Sequence, residues 1–490
     1  MGPGDTFGPS MNETRRIPTP AGLAEHEARV RRDLETLNLP ARDWVPPLHR
    51  DGQRVLDVLV IGAGMNGIAA AGALMLAGLG NLRLIERAEP GREGPWVTFA
   101  RMDTLRSPKT LPGPCFGIPS LAFRAWYEAT RGAAAWEALY KIPNAVWQDY
   151  LSWLQRVLDL PIAHGVALTR IEPADGLLRA HLSTGEALLA RRIVLATGRA
   201  GTGGFFTPEF LRHLPPHLLH HAGDAIDFAR LAGRSVAVLG GGASAWDNAA
   251  TALERGAHDA TLYVRRATLP QVNKSRGAGF PFHLGWGALD DARRWELIAY
   301  MHDHLAPPPH ETVRRALALP GFAIRLATPV LAVREAAGQV VLTTPAGEHR
   351  HDALIAATGF AVDVEAIEEL GALAPHVARW QDRYTPPPGL ERPEMAAFPY
   401  LGEGFELLPR HADAPPEIQR IHLFNYGAHA SFGGIASDIP GLAVAADRLA
   451  KRLAIDFFRE GFPALRAEVE AFEEPELITT PFFVPKEQRA

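Results

Sequence analysis

At residues 55–67 an apolar run meets a glycine triplet, and few folds accommodate that junction. Val55-Leu56-Asp57-Val58-Leu59-Val60-Ile61 reads as a buried strand. It leads directly into Gly62-Ala63-Gly64-Met65-Asn66-Gly67, and the apolar stretch Ile68 to Leu79 follows as a helix. In this strand–turn–helix context each glycine has a reason: Gly62 permits the turn, Gly64 lets the backbone approach a pyrophosphate, and Gly67 lets helix and strand pack closely. The helix N-terminus presents unpaired N–H groups and partial positive charge to that anion. The next strand, Leu82 to Glu86, ends in an acid about twenty residues beyond the glycines, where a ribose ligand is expected. A carboxylate accepts from ribose hydroxyls and repels a 2′-phosphate, so this site suits FAD or NAD rather than NADP. Met65 and Asn66 inside the turn and Arg87 after the acid belong to the same candidate site.

A second unit repeats the design with opposite charge. Ser235 to Leu239 leads into Gly240-Gly241-Gly242-Ala243-Ser244-Ala245, the same turn with alanine at its third position. The following strand, Thr261 to Val264, ends in Arg265-Arg266 rather than an acid. Two guanidinium groups at the ribose 2′ position favour a phosphate through charge-assisted, bidentate bonds. The unit reads as an NADPH site, and electrons would pass from NADPH to a tightly held flavin.

The rest of the chain frames these units. Its 490 residues suggest about three domain-sized pieces. Alternating strands and helices predict an α/β fold: two Rossmann-like dinucleotide-binding domains, for FAD and NADPH, the second inserted in the first, with a helical insertion. The expected division is 1–52, an N-terminal leader (1–20) and an amphipathic helix over 21–39 ended by Pro40; 53–204, the first part of the FAD domain; 205–352, the NADPH domain with the insertion at 270–320; and 353–490, the rest of the FAD domain. Trp136, Tyr140, Trp147, Tyr150 and Trp153 read as a buried helix face, and Gly441 to Phe458 as a helix. Phe280, Phe282, His283 and Trp286 in the insertion either roof a substrate or elaborate the packing.

A net charge of −5 without a basic stripe gives no nucleic-acid partner. No segment reaches the ~20 apolar residues of a membrane span, and no secretory signal is visible, so the expected location is the cytoplasm. The only cysteine, Cys115, excludes a dithiol centre and with it the disulfide reductases. No metal site is expected, and a homo-oligomer is compatible with the sequence.

Two further segments, Arg192 to Gly198 and Asp352 to Phe360, each run a strand into Ala-Thr-Gly. With the glycine motifs they resemble the two-dinucleotide-binding-domain flavoproteins, in which such segments mark the crossings between domains. Within that superfamily the chain resembles the class B flavoprotein monooxygenases. Gly94-Pro95-Trp96 looks like their Gly-Gly-x-Trp segment. Ala100-Arg101-Met102-Asp103 resembles a segment near the flavin in the Baeyer–Villiger enzymes, and Ser107-Pro108-Lys109 stands where flavin-containing monooxygenases carry a short polar motif. Asn425 to Gly427 and Ser437 to Gly441 look like the segment that aims a helix at the flavin. The resemblance implies cofactor contacts at Trp96, Thr197, Gly198, Thr358, Gly359, Asn425, Asp438 and Ile439. Two features depart from the pattern: His220-His221 lack the upstream glycine of the family fingerprint, and the asparagine of the flavin-containing monooxygenase motif is absent, with Arg106 nearby.

The resemblance implies hydride transfer from NADPH to FAD, a flavin C4a-(hydro)peroxide, and oxygenation of a small organic substrate by molecular oxygen at nitrogen, sulfur or a ketone. Candidate catalytic groups are Arg101, Asp103, Arg106, Lys109 and His221. Tyr426, His429 and Phe432 would line the pocket from the other side. Two alternatives stay open: an NADPH oxidoreductase or oxidase that transfers no oxygen atom, and a cofactor-bound regulatory protein without catalysis.

Overall fold

The computed structural model describes residues 22–488, so the expected leader at 1–20 lies outside them. The first sheet is built on β1 (Leu56–Ile61), β2 (Leu82–Glu86), β3 (Ile162–His164), β4 (Leu168–Ala174), β5 (Leu177–Leu182) and β6 (Ala187–Leu195). In space these run β3-β2-β1-β6-β5-β4, and a late strand, Ile421–Leu423, pairs with β6. The strands from β3 to β6 pair in parallel, while β4 and β5 extend the sheet antiparallel. Strand β1 is covered on both faces, which is why it reads as unbroken apolar sequence. Helix α1 (Met65–Leu76) starts at Gly64 and is almost wholly buried.

The second sheet holds β7 (Leu219–His221), β8 (Ser235–Leu239), β9 (Asp259–Tyr263), β10 (Phe322–Arg325) and β11 (Ala353–Ala356), in the order β10-β9-β8-β11-β7, all parallel. Helix α2 (Ala243–Glu254) follows the second glycine turn. Because β11 pairs with β8, the return to the first domain falls after Ala356 and not at 353. A three-stranded antiparallel sheet (Ala332–Ala336, Gln339–Thr344, Gly347–His351) precedes β11. It was not expected from the sequence, where strand character resumes only near Ala353.

The insertion lies between β9 and β10 as three helices, Ser275–Gly285, Asp291–Asp303 and His310–Leu317. By packing the first two belong to the first domain, whereas the third lies on α2 of the second, where Ala316 is buried. Trp286, Trp295 and Ile298 share a core with Trp380, Met395, Phe398 and Ala430, and Trp295 Nε1 donates to Leu390 O at 2.7 Å.

The N-terminal amphipathic helix spans Leu23–Thr36 and buries His26 and Val30. The aromatic face divides over two helices, Ala133–Ala138 and Asn144–Val157. Trp136, Trp147, Tyr150 and Trp153 are buried, but Tyr140 is 66% exposed because it falls in the link between them. The last helix, α3 (Leu442–Ala471), outruns the expected end at Phe458. Past Phe457 it buries only Gly461, so the apolar periodicity stops before the helix does. Glu460 anchors that stretch by accepting from Arg191 (3.0 Å) and Arg192 (2.6 Å).

Candidate active site

The two glycine turns are built alike. Gly62 has φ +100°, and a Cβ there would stand 2.7 Å from Ala196 O; Gly240 has φ +140°, and its Cβ would stand 2.6 Å from Ala357 O. Each turn is therefore pressed against the end of a strand-to-Thr-Gly crossing. Ala196 N donates to Ile61 O and Ala357 N to Leu239 O, both at 2.9 Å. Gly198 and Gly359 then turn the chain at φ +65° and +91°. Gly67 packs hardest, with its Cβ position 1.8 Å from Gly62 O.

Above both turns the space is open. A Cβ on Gly242 would meet nothing within 4 Å, and one on Gly64 only Gly94 at 3.8 Å. That room, at the N-termini of α1 and α2, fits a pyrophosphate on each. Glu86 is buried and accepts from Ala63 N (2.8 Å) and Ala88 N (2.9 Å), which fixes the carboxylate while leaving it acceptor capacity for a ribose. Arg265 and Arg266 follow β9 into the cleft, and neither guanidinium has a carboxylate partner among the described residues. The donor sets fit FAD in the first cradle and NADPH in the second.

One cleft of about 2240 Å³ joins the two cradles. It is lined by Gly62, Gly64, Met65, Asn66, Glu86, Arg87, Trp96, Thr197 and Gly198 on the first side and by Gly240, Gly242, Ala243, Ser244, Arg265, Arg266, Thr358 and Gly359 on the second. Asp438 and Ile439 close it ahead of α3. Gly67 and Asn425 support it from behind. Asn425 Nδ2 donates to Thr197 Oγ1 at 3.1 Å, and its Oδ1 accepts from Gly427 N. Asn66 is also structural: its Nδ2 donates to Phe424 O (2.9 Å) and Ala436 O (2.6 Å), tying α1 to the segment ahead of α3. Thr358 Oγ1 donates to Phe206 O.

The candidate catalytic residues separate into two groups. Arg101, Arg106 and His221 line the cleft; Asp103 and Lys109 do not. Arg101 donates to Thr98 O (3.2 Å) and Asp224 O (2.8 Å), bridging the two domains with its guanidinium over Phe228. Burial pushes its pKa down and Asp224 pulls it back. Arg106 pairs with Asp247 at 3.2 Å. Asp247 is buried on α2, and its pKa is raised by that burial against the pull of Arg106. His221 stacks on Phe205 with centroids 4.5 Å apart. Its Nδ1 accepts from Gly223 N at 3.0 Å, and burial lowers its pKa. Asp103 is 74% exposed and faces Arg315. Lys109 turns away because Trp136 O, at 2.7 Å, and the Trp136 ring hold its ammonium.

The insertion roofs the cleft with Phe282, His283 and the buried Trp286; Phe282 is itself partly open to solvent, and Phe280 is exposed and does not line the cleft. Tyr426, His429 and Phe432 form the facing wall. Arg199 also lines the cleft and was not among the expected site residues. It follows directly on Gly198, whose turn aims the next side chain inward, and that adjacency was the available signal. Among the described residues no group of His, Cys, Asp and Glu side chains could hold a metal ion, and no helix is long and apolar enough to cross a membrane.

Fold and cleft together define an oxidoreductase with two dinucleotide-binding domains. Residues 59–276 match the pyridine nucleotide-disulphide oxidoreductase family. An FAD-dependent urate hydroxylase of Xanthomonas campestris pathovar campestris is 43% identical over 462 residues, 93% of this chain and 97% of that protein. Among solved structures, the ornithine hydroxylase of Pseudomonas aeruginosa shares the fold at a TM-score of 0.63 and 19% identity, covering 81% of this chain and 98% of that one. The ornithine N-hydroxylase of Kutzneria sp. 744 does so at 0.62 and 16%, covering 82% and 99%. The chain belongs to the family of that Xanthomonas protein, the FAD-dependent hydroxylases, and shares its fold with the amine N-hydroxylases.

Proposed function

We propose that this protein is an NADPH- and FAD-dependent hydroxylase of a small planar nitrogen heterocycle, with urate as the substrate. The observation that carries the reading is the single cleft shared by both glycine turns, both Thr-Gly crossings and the aromatic roof. Two nucleotide cradles opening on one space let hydride donor and acceptor meet, and the roof adds an aromatic wall to that space. Urate comes from the Xanthomonas relative, whose identity extends over nearly its whole length. Among nitrogen, sulfur and ketone oxygenation, that kinship favours hydroxylation of a heterocycle.

Bound flavin would supply hydride acceptance and activation of dioxygen. The chain's own residues do the positioning. Gly62, Gly64 and the N-terminus of α1 hold the flavin nucleotide's pyrophosphate, with Glu86 on its ribose. Gly240, Gly242 and the N-terminus of α2 do the same for NADPH, leaving Arg265 and Arg266 to the 2′-phosphate. Arg101 sets a cation at the junction of the domains. His221 carries its proton at Nε2, since Nδ1 accepts from Gly223, and burial keeps the ring neutral. Nε2 is buried and has no hydrogen-bond partner among the described residues, so the ring flanks the cleft as a neutral wall stacked on Phe205 rather than as a charge. Trp286 and Phe432 exclude water.

The test is anaerobic reduction of the yellow protein by NADPH and by NADH, followed by aerobic turnover with urate. The expected balance is one NADPH, one proton and one dioxygen consumed per urate hydroxylated, with NADP⁺ and one water released, and NADPH preferred over NADH. NADPH oxidation that yields hydrogen peroxide and leaves urate untouched would establish the oxidase alternative instead. Reduction by neither nucleotide would remove the nicotinamide reading altogether.

A further inference from the structure

The geometry points to Arg199 and Asp438 as the substrate-recognition pair, reading the edge of a planar ring on which a carbonyl stands beside an N–H, as in a ureide or lactam. This rests on the proposed hydroxylase reading and names how its substrate is held. Arg199 leaves the first Thr-Gly crossing, and Asp438 precedes the turn that opens α3, so the pair stands where the flavin segments converge. The two side chains share one bond, Nη2 to Oδ1 at 3.2 Å. Asp438 Oδ2 and Arg199 Nε and Nη1 have no hydrogen-bond partner among the described residues. Both side chains are about half exposed, at 45% and 52%, and both line the cleft.

The pair is also braced. The Arg199 guanidinium lies 4.5 Å from the centroid of the Tyr426 ring. Tyr426 in turn stacks with His429 at 5.3 Å and meets Phe398 edge-on at 5.7 Å. A planar cation held flat on a packed aromatic loses little freedom when it forms its fork of hydrogen bonds. In the roof, Trp286 Nε1 is buried without a partner among the described residues. A donor fork beside a carboxylate acceptor complements an acceptor beside a donor, which is the pattern of a ureide edge. An aliphatic amine would engage Asp438 alone and a carboxylate Arg199 alone; a ureide engages both.

The holoenzyme is titrated with uric acid, with N-methylated urates that remove one N–H at a time, and with xanthine, uracil and hydantoin, read by the change in flavin absorbance. Arg199→Met and Asp438→Asn are each expected to weaken uric acid about 30-fold, the scale of one charge-assisted hydrogen bond. Wild type is expected to discriminate against one of the N-methylated urates about tenfold, and Asp438→Asn to narrow that discrimination, because a neutral amide oxygen accepts from the N–H more weakly than a carboxylate. Where a variant fails to retain flavin, Arg199→Lys and Asp438→Glu carry the same comparison, since they keep charge while breaking the fork or the spacing. Variants that retain flavin and bind uric acid as tightly as wild type overturn the pair and leave the urate reading standing. Wild type that ignores uric acid but binds another ureide, with the loss in both variants, retires urate and supports the pair. Wild type that binds none of these rings overturns both.

Discussion

The two nucleotide cradles have nearly the same backbone and differ in how much of their chemistry is already committed. Both press a positive-φ glycine onto a carbonyl of a Thr-Gly crossing, at 2.7 Å in one and 2.6 Å in the other. In the first, Glu86 is buried and held by two backbone donors, and Asn66 stitches the turn's helix to two distant carbonyls. In the second, the two arginines that stand in place of the acid have no carboxylate partner among the described residues. The third turn position is Gly67 in one and Ala245 in the other, and Ala245 is fully buried without a clash. The first cradle has its acceptor fixed in advance, while the second leaves its cations uncommitted.

The sharpest way to break this comparison is Gly67→Ala. Its Cβ would sit 1.8 Å from Gly62 O, a backbone atom that cannot step aside. Loss of more than about 4 kcal/mol, or failure to fold, is expected, read by thermal melting and flavin content. The matching change in the second cradle, Ala245→Gly, should cost only about 1 kcal/mol of helix propensity. Equal effects would dissolve the contrast.

Acid gives the next largest effect. His422, on the late strand of the first sheet, donates from Nδ1 to Gly404 O at 2.7 Å and leaves Nε2 buried without a partner among the described residues. Burial lowers its pKa to about 3, with Arg192 and Arg452 adding to the shift. His351, just before β11 of the second sheet, has both ring nitrogens paired, with Ser235 Oγ at 2.9 Å and Tyr263 Oη at 2.8 Å. A depressed histidine pKa means that the unfolded chain binds the proton first. Stability from His422 is therefore complete above about pH 6.5 and falls toward pH 3, at up to about 1.4 kcal/mol per unit. His422→Asn should flatten that acid limb in denaturant titrations, and His351→Asn should flatten it less.

Arg265→Ala with Arg266→Ala should raise the KM for NADPH about 30-fold or more and leave NADH nearly unaffected, measured as flavin reduction against nucleotide concentration. A parallel loss for both nucleotides would mean that the arginines do not meet the 2′-phosphate. Asn66→Ala strips two hydrogen bonds from buried carbonyls and should cost about 2 kcal/mol in a thermal melt, above only Ala245→Gly. The flavin should dissociate faster as the segment ahead of α3 loosens.

Both turns, Glu86 and the arginine pair were legible because each depends on a short stretch whose backbone conformation dictates residue type. The sites that sequence misplaced depend on partners far along the chain. Lys109 is drawn from the cleft by Trp136 O, and Asp103 by Arg315, neither of which local pattern reveals. The antiparallel sheet over 332–351 escaped notice because its outer strands are short and carry exposed charge, as at Arg334, Glu335 and Glu348. Strand β11 was assigned to the wrong side of a domain boundary because a buried parallel strand reads the same in either sheet. Arg199 needed only the step from Gly198 to its neighbour.

The roof has divided loyalties: the chain threads it through the nucleotide domain, while Trp286 and Trp295 fasten it to the flavin domain. A swing of the second sheet would thus leave the ceiling over the substrate in place, with the slack taken up in the connections to β9 and β10. Exchange of the nicotinamide nucleotide would then proceed without the ceiling lifting, because what fastens the roof is not what carries the nucleotide.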